Sequence, residues 1–137
     1  MTGPRRILVV DDQGDIREMA RLVLTGAGYE VETASSGREG LKRARQGGFD
    51  LVLLDINMPE LDGWATLRLL RADDAHDALP VAMFSVKSEI RDKVASLKDG
   101  AVDYITKPFG VDELVSRVSR IIAAHGGAPA VPTASPR

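Results

Sequence analysis

Ile7 to Val10, Leu51 to Leu54 and Val81 to Phe84 are runs of four consecutive apolar residues, each cut off by a polar one: Asp11, Asp55 and Ser85. Unbroken rather than alternating apolarity marks a strand covered on both faces, the habit of parallel sheets flanked by helices. Two weaker strands, Val31 to Ala34 and Tyr104 to Thr106, each follow a glycine suited to ending a helix, Gly28 and Gly100. Between strands the apolar period becomes helical. Ile16, Met19, Ala20, Val23, Leu24 and Ala27 obey the i, i+3, i+4, i+7 rule in a first helix. Ser36 and Glu39 have capping-box spacing at the start of a second, whose apolar face is thin, Leu41 and Ala44. Trp64, Leu67 and Leu70 mark a third helix, and Ile90, Val94 and Leu97 a fourth. The fifth begins near Gly110, carries Asp112 and Glu113 where they suit the helix dipole, and continues through Leu114, Val118, Ile121 and Ile122. A β-α unit repeated five times with short connections predicts an α/β fold, a doubly wound parallel sheet with helices on both faces and right-handed crossovers.

The chain of 137 residues is one domain's worth, long enough to bury about two-thirds of its unfolded surface. A net charge of -2 gives no general attraction to nucleic acid or anionic membrane. The absence of cysteine excludes a disulfide framework and a thiolate metal site. Met1 leads within a few residues into a strand, and no apolar stretch approaches the roughly 18 residues of a membrane span, so neither a signal peptide nor an anchor is expected and the cytoplasm is the simplest location. From Gly126 to Arg137 the chain has three prolines, one charge and no periodicity. That segment is expected to be a disordered tail or linker, leaving residues 1–125 as the folded domain.

In an open α/β sheet, ligands bind beyond the carboxyl ends of the strands. Asp11, Asp12, Asp55, Ser85 and Lys107 all fall at that end. If the first and third strands are neighbours, three carboxylates converge. Two such charges about 4 Å apart repel by roughly 4 kcal/mol at an effective dielectric near 20, so the cluster calls for a divalent cation. An all-oxygen donor set suits Mg2+ rather than zinc. Asp55 can then act as a nucleophile toward a phosphoryl group, with the Lys107 ammonium and the Ser85 hydroxyl on its other oxygens. Singly, each residue has a plainer role: Asp12 as a helix cap, Ser85 as a loop hydroxyl, Lys107 as a solvated cation, Asp62 with Gly63 as a turn. Jointly, at the ends of four strands, they favour the chemical reading. Tyr104 is either a packed strand aromatic or a moving switch, and His76 and His125 read as surface histidines. An aspartate-nucleophile phosphohydrolase would need a second acid two residues after Asp55, where Asn57 stands. A flavin-type cofactor loop would cradle phosphate, which the acidic Asp11–Asp15 segment would repel.

The segments ILVVDD, LVLLDINMPELDG, MFSVKSE and DYITKPF, in this order and spacing, resemble a response-regulator receiver domain of bacterial two-component signalling, over about Arg6 to Ala124. The resemblance implies a flavodoxin-like sheet of order 2-1-3-4-5 with five helices. It implies that Asp55 is the phosphoacceptor, that Asp11, Asp12, Asp55 and the Asn57 backbone carbonyl hold Mg2+, and that Lys107 pairs with the phosphoryl group. Ser85 would sense that group, Tyr104 would turn inward when Ser85 moves, and the bond to Pro108 would be cis. The implied protein is a switch rather than an enzyme, catalysing only its own phosphoryl transfer and dephosphorylation. Its partners would be a sensor histidine kinase or phosphotransfer protein, and a second copy in a phosphorylation-dependent homodimer through the fourth helix, fifth strand and fifth helix. Lys93, Asp103, Glu113 and Arg117 would place both signs of charge on that surface. No direct nucleic-acid or membrane binding is expected. Two positions depart from the common pattern: Ser85, where threonine is more frequent, and Val86, where the family usually has a smaller residue that leaves room for attacking water.

Overall fold

The apolar runs become the strands of one five-stranded parallel sheet in a computed structural model that describes residues 3–73, 78–86 and 100–126. They are β1 (Arg6–Val10), β2 (Glu30–Ala34), β3 (Leu51–Leu54), β4 (Val81–Val86) and β5 (Asp103–Lys107), in the spatial order β2-β1-β3-β4-β5. The expected doubly wound order is therefore present. β1 lies between β2 and β3, with Val10 registered against both Ala34 and Leu54, so Asp11 and Asp55 leave adjacent strands side by side. β4 runs two residues past the predicted end, which makes Ser85 a strand residue paired with Thr106 rather than the first residue beyond the strand.

Three helices follow the first three strands: α1 (Gly14–Gly26), α2 (Gly37–Gln46) and α3 (Gly63–Arg71). A C-terminal helix, Val111–Ile121, runs into a π-helical turn at Ile122–Gly126. The predicted fourth helix with Lys93, and also His76 and residues 127–137, lie outside the described residues. Alternation along the strands divides the core in two. Leu8, Val10, Val52, Leu54, Val81 and Met83 pack toward α2 and α3, with Leu41, Leu67 and Leu70. Ile7, Val9, Leu51, Leu53, Ala82, Phe84 and Ile105 pack toward α1 and the C-terminal helix, with Leu24, Leu114 and Val118. Both clusters are buried, as continuous strand apolarity requires.

Several local expectations are refined. On α1 the buried stripe is Ala20 and Leu24 with Ile16 and Val23 beside it, whereas Met19 is 49% exposed and Ala27 caps the helix end. The Ser36 hydroxyl caps α2 by accepting from the Glu39 N–H at 3.1 Å, but Glu39 reaches back to the N–H of Ser35 (2.8 Å) instead of that of Ser36, so the box closes one residue early. The thin face of α2 has a cause that periodicity does not show. A Cβ on Gly40 would lie 2.7 Å from Val10 Cγ2, and one on Gly37 would lie 2.4 Å from the Leu61 carbonyl, so two glycines let the backbone itself approach the sheet and the loop before α3. Gly28 and Gly100 have φ +101°, the left-handed conformation that suits a glycine at a helix end. Among the described residues no helix is long and apolar enough to cross a membrane.

Candidate functional site

The carboxyl edge of β1, β3, β4 and β5 gathers the side chains singled out above. The Asp55 N–H donates to the Val10 carbonyl at 2.9 Å, extending the β1–β3 ladder by one residue and bringing Asp55 beside Asp11. Asp11 and Asp55 are buried and Asp12 is exposed, and one carboxylate oxygen from each lies within 4.8 Å of the other two. Lys107 closes β5 and crosses this edge. Its Nζ lies 2.5 Å from Asp11 Oδ2, 3.5 Å from Asp55 Oδ1 and 5.1 Å from the centre of the Phe84 ring, which itself packs against Phe109. The ammonium thus lies between two carboxylates and the face of an aromatic ring.

Ser85 donates its hydroxyl to Asp55 Oδ1 at 3.1 Å. By strand alternation Ser85 belongs to the face of Val81 and Met83, and Lys107 to the face of Phe84 and Ile105. The same carboxylate oxygen is therefore approached from both sides of the sheet. Burial first, and then the neighbouring Asp11 charge, push the Asp55 carboxyl up from 3.8 to about 6, against the opposing pull of Lys107, the Ser85 hydroxyl and the Asn57 N–H. One ammonium for three clustered carboxylates leaves the group short of positive charge, and a small divalent cation with oxygen ligands matches both deficit and donor type. Asn57 is exposed two residues beyond Asp55. Tyr104 is half-buried against the core on the Ser85 face, registered opposite Met83, two residues before Ser85. The Lys107–Pro108 peptide is cis. Val86 is the last residue of β4, and its side chain lies outside the described set.

Residues that drew no attention in the sequence also shape the site. Arg17, on α1, donates from its guanidinium to the Asp11 carbonyl at 2.6 Å, and the Asp11 carboxylate accepts from the Gln13 N–H at 2.9 Å. Asp62 caps α3 by accepting from the Ala65 N–H, as its turn reading implied. Gly63 does more. Its N–H donates to the Ile56 carbonyl at 2.8 Å, and a Cβ there would stand 2.2 Å from the Asp55 carbonyl oxygen. The start of α3 is clamped on the backbone of Asp55, and only the Asp-Gly pair hinted at it.

The family model for the response regulator receiver domain matches residues 7–119. The transcriptional regulatory protein PrrA of Mycobacterium tuberculosis is 43% identical over 126 residues, covering 92% of this chain and 53% of that protein. The chain spans about half the length of the curated relatives it matches. The chemotaxis protein CheY4 of Vibrio cholerae superposes with a TM-score of 0.81 at 33% identity, covering 87% of this chain and 99% of that one. The receiver domain of NtrX from Brucella abortus superposes with a TM-score of 0.78 at 36% identity, covering 85% and 98%.

Proposed function

The chain belongs to the response regulator receiver family of two-component signalling, and on that premise we propose that it is a switch operated by phosphorylation of Asp55. The observation that carries this reading is the convergence of Asp11, Asp12 and Asp55 within 4.8 Å, with the Lys107 ammonium between two of them. A histidine kinase or phosphotransfer protein presents phosphohistidine in the cytoplasm. An Asp55 carboxylate oxygen forms a bond to phosphorus as the phosphorus–nitrogen bond breaks, and the donor imidazole leaves with a proton. Mg2+ held by Asp11, Asp12, Asp55 and the Asn57 carbonyl would draw charge from the phosphoryl oxygens. Lys107, held over Phe84, is placed to exchange its contact with Asp55 for one with a phosphoryl oxygen. Ser85 is placed to move its hydroxyl from Asp55 Oδ1 to the new group, and Tyr104, on the same face, to fill the space that Ser85 leaves.

Residues 1–125 form the receiver unit in this reading and 126–137 the tail or linker. The product is a changed surface, including β5 and the C-terminal helix, rather than a released small molecule, so the chain's only catalysis is on its own acyl phosphate. A homodimer through that surface is part of the proposal. The experiment is intact-mass analysis after incubation with Mg2+ and acetyl phosphate. One acid-stable, base-labile phosphoryl group is expected on the wild type and none on Asp55→Asn, and undiminished labelling of the variant would remove the central claim.

A further inference from the structure

Helix α2 carries Arg38, Lys42, Arg43 and Arg45 against a single acid, Glu39, in a chain whose net charge is -2. Arg43 is engaged by Glu32 at 3.2 Å and Glu39 at 3.4 Å on one side of the helix. The other three cations stand at i, i+4 and i+7, a single row about 10 Å long. That row borders a groove of about 490 Å³ between α2 and α3, lined also by Leu41, Leu61 and Leu69. Leu69 is 40% exposed there, an aliphatic side chain on the outer face of α3. Leu61 is held in place by a tight turn, with Glu60 at φ 69° and the Leu61 N–H bonded to the Pro59 carbonyl at 2.8 Å. Among the described residues Arg38 and Lys42 make no ion pair, and Arg45 has an exposed one with Asp73 at 3.5 Å.

An apolar floor under a row of three exposed cations, two of them without an ion pair among the described residues, is half of a complementary interface. No buried polar side chain among its lining residues fixes the orientation of a small ligand, as a metabolite pocket would require. We propose that the α2–α3 groove is a docking surface for an acidic amphipathic helix of another protein. The partner would carry Asp or Glu at the spacing that meets Arg38, Lys42 and Arg45, with leucine-like side chains between them for the floor. The surface is separate from Asp55 and its binding does not depend on the phosphorylation reading.

The test uses the unphosphorylated full chain and a labelled synthetic helix of about four turns, leucines on one face and glutamates beside them, followed by fluorescence anisotropy. Binding should weaken with added salt. It should fall about tenfold or more in Arg38→Glu/Lys42→Glu, and by a similar factor in Leu69→Asp, all exposed positions at which folding is not at stake. A peptide of the same composition without an apolar face should bind at least about tenfold more weakly. Failure of the helix to bind, equal binding of the two peptides, or affinity unchanged by both variants overturns the proposal. So does a preference for vesicles of anionic phospholipid over the peptide when that preference is lost in the same variants, since the groove would then read a lipid surface.

Discussion

Asp55 illustrates what burial does to one charge. With its carboxyl raised from 3.8 to about 6, the folded chain holds a proton between roughly pH 4 and pH 6 that the unfolded chain has released. Stability therefore falls as pH rises through that window, by up to about 3 kcal/mol from this group alone when no divalent cation is present. Urea melts in chelator at pH 4 and pH 7 should show this loss in the wild type, and its removal in Asp55→Asn; parallel pH profiles for the two proteins would contradict it. Magnesium should restore part of the lost stability at pH 7. Its affinity, followed through Trp64 fluorescence, should drop more in Asp12→Ala, which loses a carboxylate, than in Asn57→Ala, which keeps its backbone carbonyl. Equal affinity in wild type and Asp12→Ala would place the cation elsewhere. At this scale the sequence was informative where chemistry sits at strand ends, because a polar residue terminating an apolar run is visible as a break. Arg17 was not, since nothing in a helical arginine tells that it will reach the carbonyl of Asp11.

At the scale of elements, helix ends and strand ends do the positioning. Gly63 lets α3 start against the carbonyl of Asp55, so a methyl group there must move either the helix or the backbone of Asp55. Gly63→Ala is expected to cost about 1–3 kcal/mol and to slow labelling by acetyl phosphate. Gly26→Ala, at the end of α1 with nothing within 4 Å of the new Cβ, serves as the control and should stay within about 1 kcal/mol of wild type. A stable and normally reactive Gly63→Ala protein would show that the clamp has slack. The strands were legible because an unbroken apolar run has few places to go in a soluble fold. Their ends were less so: β4 continues through Ser85 and Val86 because pairing with Thr106 and Lys107 sustains it, a long-range partnership that no local window contains. The close seat of α2 was hidden for the same reason, since Gly37 and Gly40 read as helix weakeners until Leu61 and Val10 are seen against them.

For the whole molecule, activation is expected to change association. Asp103 and Arg117 lie 3.6 Å apart within one chain, so a symmetric dimer using them must exchange internal pairs for external ones, a swap worth only about 0–1 kcal/mol per pair. They would set register while apolar contacts supply affinity. Sedimentation with beryllofluoride should show a shift toward dimer, reduced by Arg117→Glu and by high salt; a monomer at high concentration in the activated state would count against it. The division of the core into two clusters bears on how such a signal travels. Ser85 and Tyr104 share one side of the sheet with α2 and α3, while α1 and the C-terminal helix rest on the other. At the strand ends, however, one oxygen of Asp55 touches Ser85 from the first side and Lys107 from the second, so an event there is broadcast into both layers at once. A shift of Lys107 would be felt by the C-terminal helix, whose Leu114 and Val118 rest on the same face as Phe84 and Ile105.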